Sequence, residues 1–380
     1  MARTNAFINP EILIWARQRS QLSISGLAKK LSTSEGNLTK WERGDGHPTI
    51  RQAQAIAAKT HIPLGYLYLD KPPEERLELP DLRTINSSQP SLPSTELLEL
   101  TVLMRERVNW YADYLRDQGL DSNACVGRRS EQDTVNQIVN DIRRTLDIPP
   151  GGHRGNQERY FNQLIKRIED AGILVMKQAT IHNHRHLSVT EFRGFAISDS
   201  LAPLIFINFA DVRCARLFTL IHELAHIWLG QSGISDANPE TERALEVKCN
   251  AIAAQFLVPE DEFLRSWQDA AQWRENINNL RHQFHTSRWV IARRAQSLRK
   301  IKLSQYHEYT AELQEEYANR DKEKATGGNF YITKKSQISR PFSKAIVSEA
   351  LSGKLLLREA GQLLDMRPPH VVKYAQELGI

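Results

Sequence analysis

The sequence predicts an α+β protein that is mainly helical, contains a small β-sheet and begins with an all-α domain. Apolar residues recur at helical spacing in much of the chain, for example within 95–147. Three short apolar runs, at 173–176, 194–197 and 204–209, are instead typical of buried strands. The 380 residues are enough for two or three domains, and the 41% of apolar residues are enough for packed cores.

Changes in composition divide the chain into five predicted parts. Residues 71–94 are rich in proline, serine and acidic groups, which is typical of a linker. Prolines and glycines at 149–152 interrupt the helical pattern. We therefore expect an all-α domain at 1–70, the linker at 71–94, a helical connector at 95–152, a domain containing the strands at 153–275 and a helical region at 276–380.

We expect neither a membrane segment nor a secretory signal. No run approaches ~18 uncharged apolar residues, and Glu11 follows the N-terminus without an apolar stretch before it. The three cysteines, Cys125, Cys214 and Cys249, are far apart, which argues against a disulfide framework or a cysteine-bound zinc ion. We expect a cytoplasmic protein, because chains without disulfides are typical of that compartment.

The net charge of +5 is concentrated near the N-terminus. Residues 1–60 contain nine lysines and arginines and four acidic residues, so they carry +5 and the remaining residues sum to zero. A basic domain beside a neutral body is typical of a protein with an anionic partner. The alternative is an ordinary solvated basic surface.

His222, Glu223 and His226 form the pattern of a metal-binding helix. The histidines are four residues apart, so on a helix both imidazoles lie on one face and can bind one ion. Residues 214–229 contain no proline or glycine and are apolar on nearly every side, which predicts a buried helix. Buried imidazoles and carboxylates need partners, and a metal ion satisfies them. The alternative is a histidine pair in the core without metal.

Glu246 is the expected third ligand. It lies on the next predicted helix, 241–257, whose small residues allow close packing against the first. Asn250, one turn later, is expected to contact a metal ligand rather than the metal itself. Glu242, one turn earlier, is the alternative candidate for the third ligand. A catalytic zinc ion has three protein ligands and one open position. We expect one Zn²⁺ ion, with Mn²⁺ or Fe²⁺ as alternatives, and Glu223 as the general base for the attacking water.

The strand predicted at 204–208 lies just upstream of this motif. An exposed strand edge can hold an extended peptide by backbone hydrogen bonds. We therefore expect this strand to be either a docking edge for a peptide substrate or an ordinary buried strand.

These residues resemble the ImmA/IrrE family of metallopeptidases. The matching segments are Ile207-Asn208, 216–226 and 246–259. Cys249 and Ile252 replace an alanine and a phenylalanine that the family usually shows, and neither is a ligand. The resemblance implies a peptidase domain in which His222, His226 and Glu246 bind zinc and Glu223 is the base. It also implies cleavage of a repressor protein, which releases stress, phage or mobile-element genes.

Residues 27–44 resemble the helix-turn-helix of XRE-type repressors. In such motifs the first residues of the second helix enter the major groove of double-stranded DNA. Here those residues are Ser34, Glu35, Asn37 and Lys40. Asn37 can pair with adenine, and Lys40 with guanine or a phosphate.

Phosphate contacts are expected from Arg17, Lys29, Lys30 and Arg43. Two residues argue against strong DNA binding. Glu35 repels phosphate, and Ile24 stands where related repressors often carry a phosphate-binding glutamine. The alternative is a helix-turn-helix domain that docks on a protein.

The leading hypothesis is a zinc metallo-endopeptidase that cuts a specific protein, a transcriptional repressor. The alternative is a DNA-binding regulator or antitoxin-like protein in which the peptidase fold is a scaffold that does not cleave. A third option is a protein that binds a repressor and sequesters it without cutting it.

Overall fold

The computed structural model describes residues 4–73, 79–80, 93–149, 155–181, 185–235, 244–268, 272–318 and 337–380. Contacts between residues divide the chain into two compact units. The first consists of Met1–Glu78 and Ser87–Val102, and the second of Leu79–Asn86 and Leu103–Ile380. The predicted α+β class, with an all-α N-terminal domain and a small mixed sheet, is confirmed.

The first unit is built on four short helices and a 3₁₀ turn. They are α1 (Pro10–Arg19), α2 (Ile24–Leu31), α3 (Glu35–Arg43), α4 (Ile50–Thr60) and the 3₁₀ turn Leu64–Tyr68. Ser23 and Ser34 cap α2 and α3, because their hydroxyls accept hydrogen bonds from the amides of Gly26 and Asn37. A buried core that includes Leu13, Leu27 and Leu38 holds the helices together.

The second unit surrounds a four-stranded sheet with helices. Its helices before the sheet are α5 (Thr95–Asp117, which begins in the first unit), α6 (Val135–Thr145) and α7 (Gln157–Asp170). The strands of this sheet are β1 (Leu174–Gln178), β4 (Gly194–Ile197), β5 (Leu204–Asn208) and β6 (Gly233–Ser235). Strands β2 (Thr180–Ile181) and β3 (Arg185–His186) pair with each other in a separate antiparallel sheet. Helix α8 (Arg213–Trp228) connects β5 to β6.

The remaining described helices follow β6. They are α9 (Ala244–Leu257), α10 (Glu260–Ser266), α11 (Trp273–Gln283), α12 (Arg288–Ser297), α13 (Leu303–Ala318), α14 (Arg340–Leu351), α15 (Leu357–Leu363) and α16 (Pro368–Leu378). None of the helices in the described part of the chain is long and apolar enough to cross a membrane.

The sheet order is β1-β5-β4-β6, with β1 parallel to β5 and the other neighbours antiparallel. Strand β5 therefore pairs on both sides, and each of its residues is buried. Our expectation that this strand could be a docking edge is wrong, and the alternative of an ordinary buried strand is correct. Among the described strands, β1 and β6 are the edges of this sheet.

Asp141 on α6 anchors the C-terminal end of α8. Its buried carboxylate accepts hydrogen bonds from the indole of Trp228 (3.1 Å) and from the guanidinium groups of Arg128 (2.8 Å), Arg129 (3.2 Å) and Arg144 (2.7 Å). Burial alone would raise the pKa of Asp141, but these donors outweigh it and hold the pKa well below its usual range. The C-terminal end of α8, the helix that carries His222 and His226, is thus held by the charged Asp141 of α6.

We expect Asp141→Asn to lower the stability of the metal-free protein by about 2–3 kcal/mol at neutral pH, because a buried, hydrogen-bonded charge is lost. A carboxylate with a lowered pKa stabilises the fold above pH ~4, where an unfolded aspartate titrates, and this contribution disappears as the pH falls further. The difference in melting temperature between variant and wild type should therefore stay nearly constant from about pH 7 to about pH 5 and shrink as the pH falls below about 4.

The matched control is Asp113→Asn, since Asp113 forms an exposed ion pair with Arg116. We expect this control to melt like the wild type. An Asp141→Asn variant that also melts like the wild type at neutral pH would contradict the anchoring role.

Candidate metal centre

Helices α8 and α9 bring His222, His226 and Glu246 together. The histidines lie one turn apart on α8, and Glu246 lies in the first turn of α9. Buried small residues of α9, among them Ala253, leave room for the two helices to pack closely. All three side chains are at most 1% exposed. The candidate ligands that the sequence indicates therefore meet in the interior of the second unit.

The distances in this cluster fit a single metal ion. The Nε2 atom of His222 lies 3.1 Å from Glu246 Oε2, and that of His226 lies 3.2 Å from Glu246 Oε1. The two Nε2 atoms are 3.2 Å apart. Ligands at about 2.0–2.2 Å from a tetrahedral ion are separated by roughly 3.3–3.5 Å, so one ion needs only a slight opening of this group.

The carboxylate of Glu246 supports the same interpretation. Its two oxygens face the Nε2 atoms of His222 and His226, and neither oxygen has another hydrogen-bond partner among the described residues. Burial would raise the pKa of Glu246, but the two facing imidazoles outweigh it and lower the pKa, which favours the anion. A divalent cation between the carboxylate and the two imidazoles would satisfy both buried oxygens.

Glu223 lies beside this cluster and has a different environment. Its Oε1 accepts a hydrogen bond from the Ser235 hydroxyl on β6, whereas Oε2 has no hydrogen-bond partner among the described residues. Burial raises the pKa of Glu223 to about 8, although the charge of His222 and the Ser235 hydrogen bond oppose the rise. One oxygen is therefore held in place, and the other is available to exchange a proton.

Ser235 and Gly194 are site residues that the sequence did not indicate. A Cβ atom at Gly194 would lie 2.6 Å from Thr219 Cγ2, 2.8 Å from the Phe206 carbonyl oxygen and 3.0 Å from Glu223 Oε1. Only glycine fits this space, because any larger residue would push against the Glu223 carboxylate. Neither residue belongs to a motif, so only the tertiary contact identifies it.

The other candidate residues of this site have mixed outcomes. Asn250 lies one turn after Glu246. Burial alone would lower the pKa of His222, but hydrogen bonds with Glu246 and Asn250 and the charges of Glu223 and Glu246 outweigh burial and raise the pKa. The rival ligand Glu242 lies outside the described residues. Cys249 is buried, and burial raises the pKa of its thiol well above its ordinary value, so it behaves as a packing residue.

The predicted DNA-contacting residues lie together at one end of α3. Ser34, Glu35, Asn37 and Lys40 are all exposed. The hydroxyl of Ser34 is engaged in capping, since it accepts a hydrogen bond from the Asn37 amide at 3.2 Å. The other three side chains occupy the first turns of the helix, where a recognition helix meets base edges.

We expected Arg17 to contact phosphate, but the structure gives this residue a different role. Its guanidinium donates two hydrogen bonds to the carboxylate of Glu42, at 2.6 and 3.0 Å, and only 13% of its side chain is exposed. This pair ties α1 to α3 and so fixes the position of α3. Lys29, Lys30 and Arg43 are exposed, as phosphate contacts require.

Comparisons with known protein families agree with this organisation. Residues 168–296 match the Peptidase_M78 family, described as the IrrE N-terminal-like domain, which indicates metallopeptidase-type activity. Residues 13–67 match a helix-turn-helix domain, and both resemblances drawn from the sequence are thereby confirmed. Residues 338–377, which cover α14, α15 and most of α16, match a domain of unknown function (DUF8813). The sequence matches no curated protein.

We expect Glu246→Gln to weaken zinc binding more than ~100-fold, because loss of a group that merely supports a ligand already costs about 10–100-fold. The matched control is Glu223→Gln, which removes a neighbouring carboxylate that is not a proposed ligand. It should retain about one zinc ion per chain. Competition with a zinc-binding dye measures both affinities, and equal affinities for wild type and Glu246→Gln would rule out Glu246 as a ligand.

Proposed function

We propose that this chain, which joins an IrrE N-terminal-like peptidase domain to a helix-turn-helix domain, is a cytoplasmic zinc-dependent endopeptidase that cuts a specific protein. The substrate we propose is a transcriptional repressor, whose loss releases stress, phage or mobile-element genes. The observation that carries the proposal is the convergence of His222, His226 and Glu246 in the interior, next to the Glu223 carboxylate.

His222, His226 and Glu246 would hold the ion. Two imidazoles and one carboxylate are a typical donor set of a catalytic zinc site, and the same donors accept Mn²⁺ or Fe²⁺. When bound, the ion would polarise the substrate carbonyl and lower the pKa of the attacking water, which makes the water easier to deprotonate.

Glu223 would move the protons. Its Oε2 accepts a proton from the attacking water and donates it to the amine that leaves. Its raised pKa suits this exchange, because a group that titrates near neutral pH can both take and return a proton. The Ser235 hydroxyl holds Oε1, so it positions the carboxylate without touching the substrate.

The outer edge of β6 is the docking edge that we propose for the substrate. A protease binds its substrate as an extended strand, which requires a free strand edge near the base. Strand β5 has no free edge, whereas β6 pairs with β4 alone among the described strands and includes Ser235, the partner of Glu223.

The N-terminal domain would bring the peptidase to its target. Asn37 and Lys40 are exposed at the start of α3, so they can contact DNA near the repressor or the repressor itself. These same residues support the second candidate function, a DNA-binding regulator whose peptidase fold does not cleave.

The peptidase function is tested with zinc-loaded protein and the repressors encoded next to it. We expect specific cleavage by the wild type and a loss of at least ~100-fold in kcat/KM for Glu223→Gln, because general acid–base catalysis contributes about 10²–10⁴-fold. Mass spectrometry of the products identifies the cut bond. Cleavage that persists unchanged in the variant would refute the role of Glu223.

DNA binding is tested on the DNA upstream of the chain's own gene. We expect Asn37→Ala and Lys40→Ala each to weaken binding by roughly 5–150-fold, which corresponds to about 1–3 kcal/mol for a base contact. The control His222→Ala should bind like the wild type. If all three variants bind equally well, α3 does not read DNA and the domain docks on protein.

A further inference from the structure

We propose that Leu79 and Pro80 block the peptidase site by occupying the outer edge of β6, where an extended substrate would pair. This inference rests on the proposed function, and it adds a mode of regulation: the chain is latent until these residues leave the edge. The occupant is a segment of the chain itself, and the partner that displaces it is an extended polypeptide.

The first observation is a hydrogen bond on the edge strand. The amide of Ile234, the middle residue of β6, donates to the carbonyl oxygen of Pro80 at 2.9 Å. An amide N–H points in one direction only, so the amide of Ile234 points away from β4 and toward the outer edge. Pro80 therefore takes the backbone donor that an added strand would use.

The second observation concerns Leu79. Its side chain is 3% exposed, although the surrounding sequence is rich in proline, serine and acidic groups. The stretch Leu79–Asn86 belongs to the second unit, whereas the residues up to Glu78 and those from Ser87 to Val102 belong to the first. Burial of an apolar side chain is favourable, so the burial of Leu79 indicates that this residue packs against the rest of the second unit.

The third observation is the closed state of the catalytic centre. His222, Glu223 and His226 are fully buried, and Glu246 is 1% exposed. A peptide bond cannot reach the free Oε2 of Glu223 unless covering residues move. Ser235 follows Ile234 directly and contacts Glu223, so a change at this edge acts one residue away from the base.

The fourth observation is that Pro80 can form fewer backbone hydrogen bonds with the edge of β6 than another residue could. An ordinary residue on a strand edge offers both a carbonyl oxygen and an N–H group, but Pro80 has no N–H and can offer only its oxygen. A substrate strand can form hydrogen bonds that Pro80 cannot. The contact is therefore suited to being displaced by a better-fitting polypeptide.

The test uses the full-length, zinc-loaded protein and Leu79→Asp, which replaces the buried anchor by a charge. Hydrogen exchange of the Ile234 amide reports the contact itself, and the rate of zinc transfer to a chelating dye reports access to the centre. We expect both rates to rise by about 10-fold or more in Leu79→Asp, because loss of a strand partner exposes the amide to solvent. Hydrolysis of β-casein, an unfolded protein, should rise with them.

Two further variants keep the test decisive. Leu79→Ala removes part of the anchor without adding charge, so it should give intermediate rates even if the aspartate variant folds poorly. Leu120→Asp places the same charge at an exposed leucine of the second unit and should leave all three rates unchanged.

The outcomes separate this inference from the proposed function. Unchanged Ile234 exchange and zinc transfer in both Leu79 variants would overturn the block. A rise in both rates supports it. If both rates rise but Leu79→Asp cuts β-casein no faster than a Leu79→Asp/Glu223→Gln double variant, the block stands and the proposed peptidase activity fails.

Discussion

Burial of two imidazoles and a carboxylate at one point is the constraint on which the second unit depends. The Nε2 atoms of His222 and His226 and the oxygens of Glu246 lie within 3.1–3.2 Å of their nearest neighbours in the group. Such a group is unfavourable in the core without a cation. The features around it keep it in place: small residues on α9, the anchor of α8 on Asp141 and the glycine against Glu223.

The sequence predicts the parts of this site that lie on helices, because their residues recur at helical spacing. An apolar stretch without breakers indicates α8, and the spacing of His222 and His226 puts both on one face. Glu246 follows from the next helix and its small residues. The class of the fold and the three main strands are also predicted correctly, because short apolar runs differ from helical ones in length and pattern.

The remaining features could not be predicted, because they depend on tertiary pairing. Sheet order decides that β5 is interior and β6 is an edge, and no local pattern encodes that order. Ser235 meets Glu223 only because β6 returns beside β4. Likewise, Arg17 looks like a surface cation in the sequence, and only the packing of α1 against α3 gives it Glu42 as a partner.

The central claim is that one divalent ion binds between α8 and α9, and anomalous diffraction from crystals of the zinc-loaded protein tests it most directly. The predicted result is one zinc peak at about 2.0–2.2 Å from His222 Nε2, His226 Nε2 and a Glu246 oxygen, with a fourth position left to solvent. A zinc peak at other side chains, or an ion that Glu246 does not reach, would contradict it.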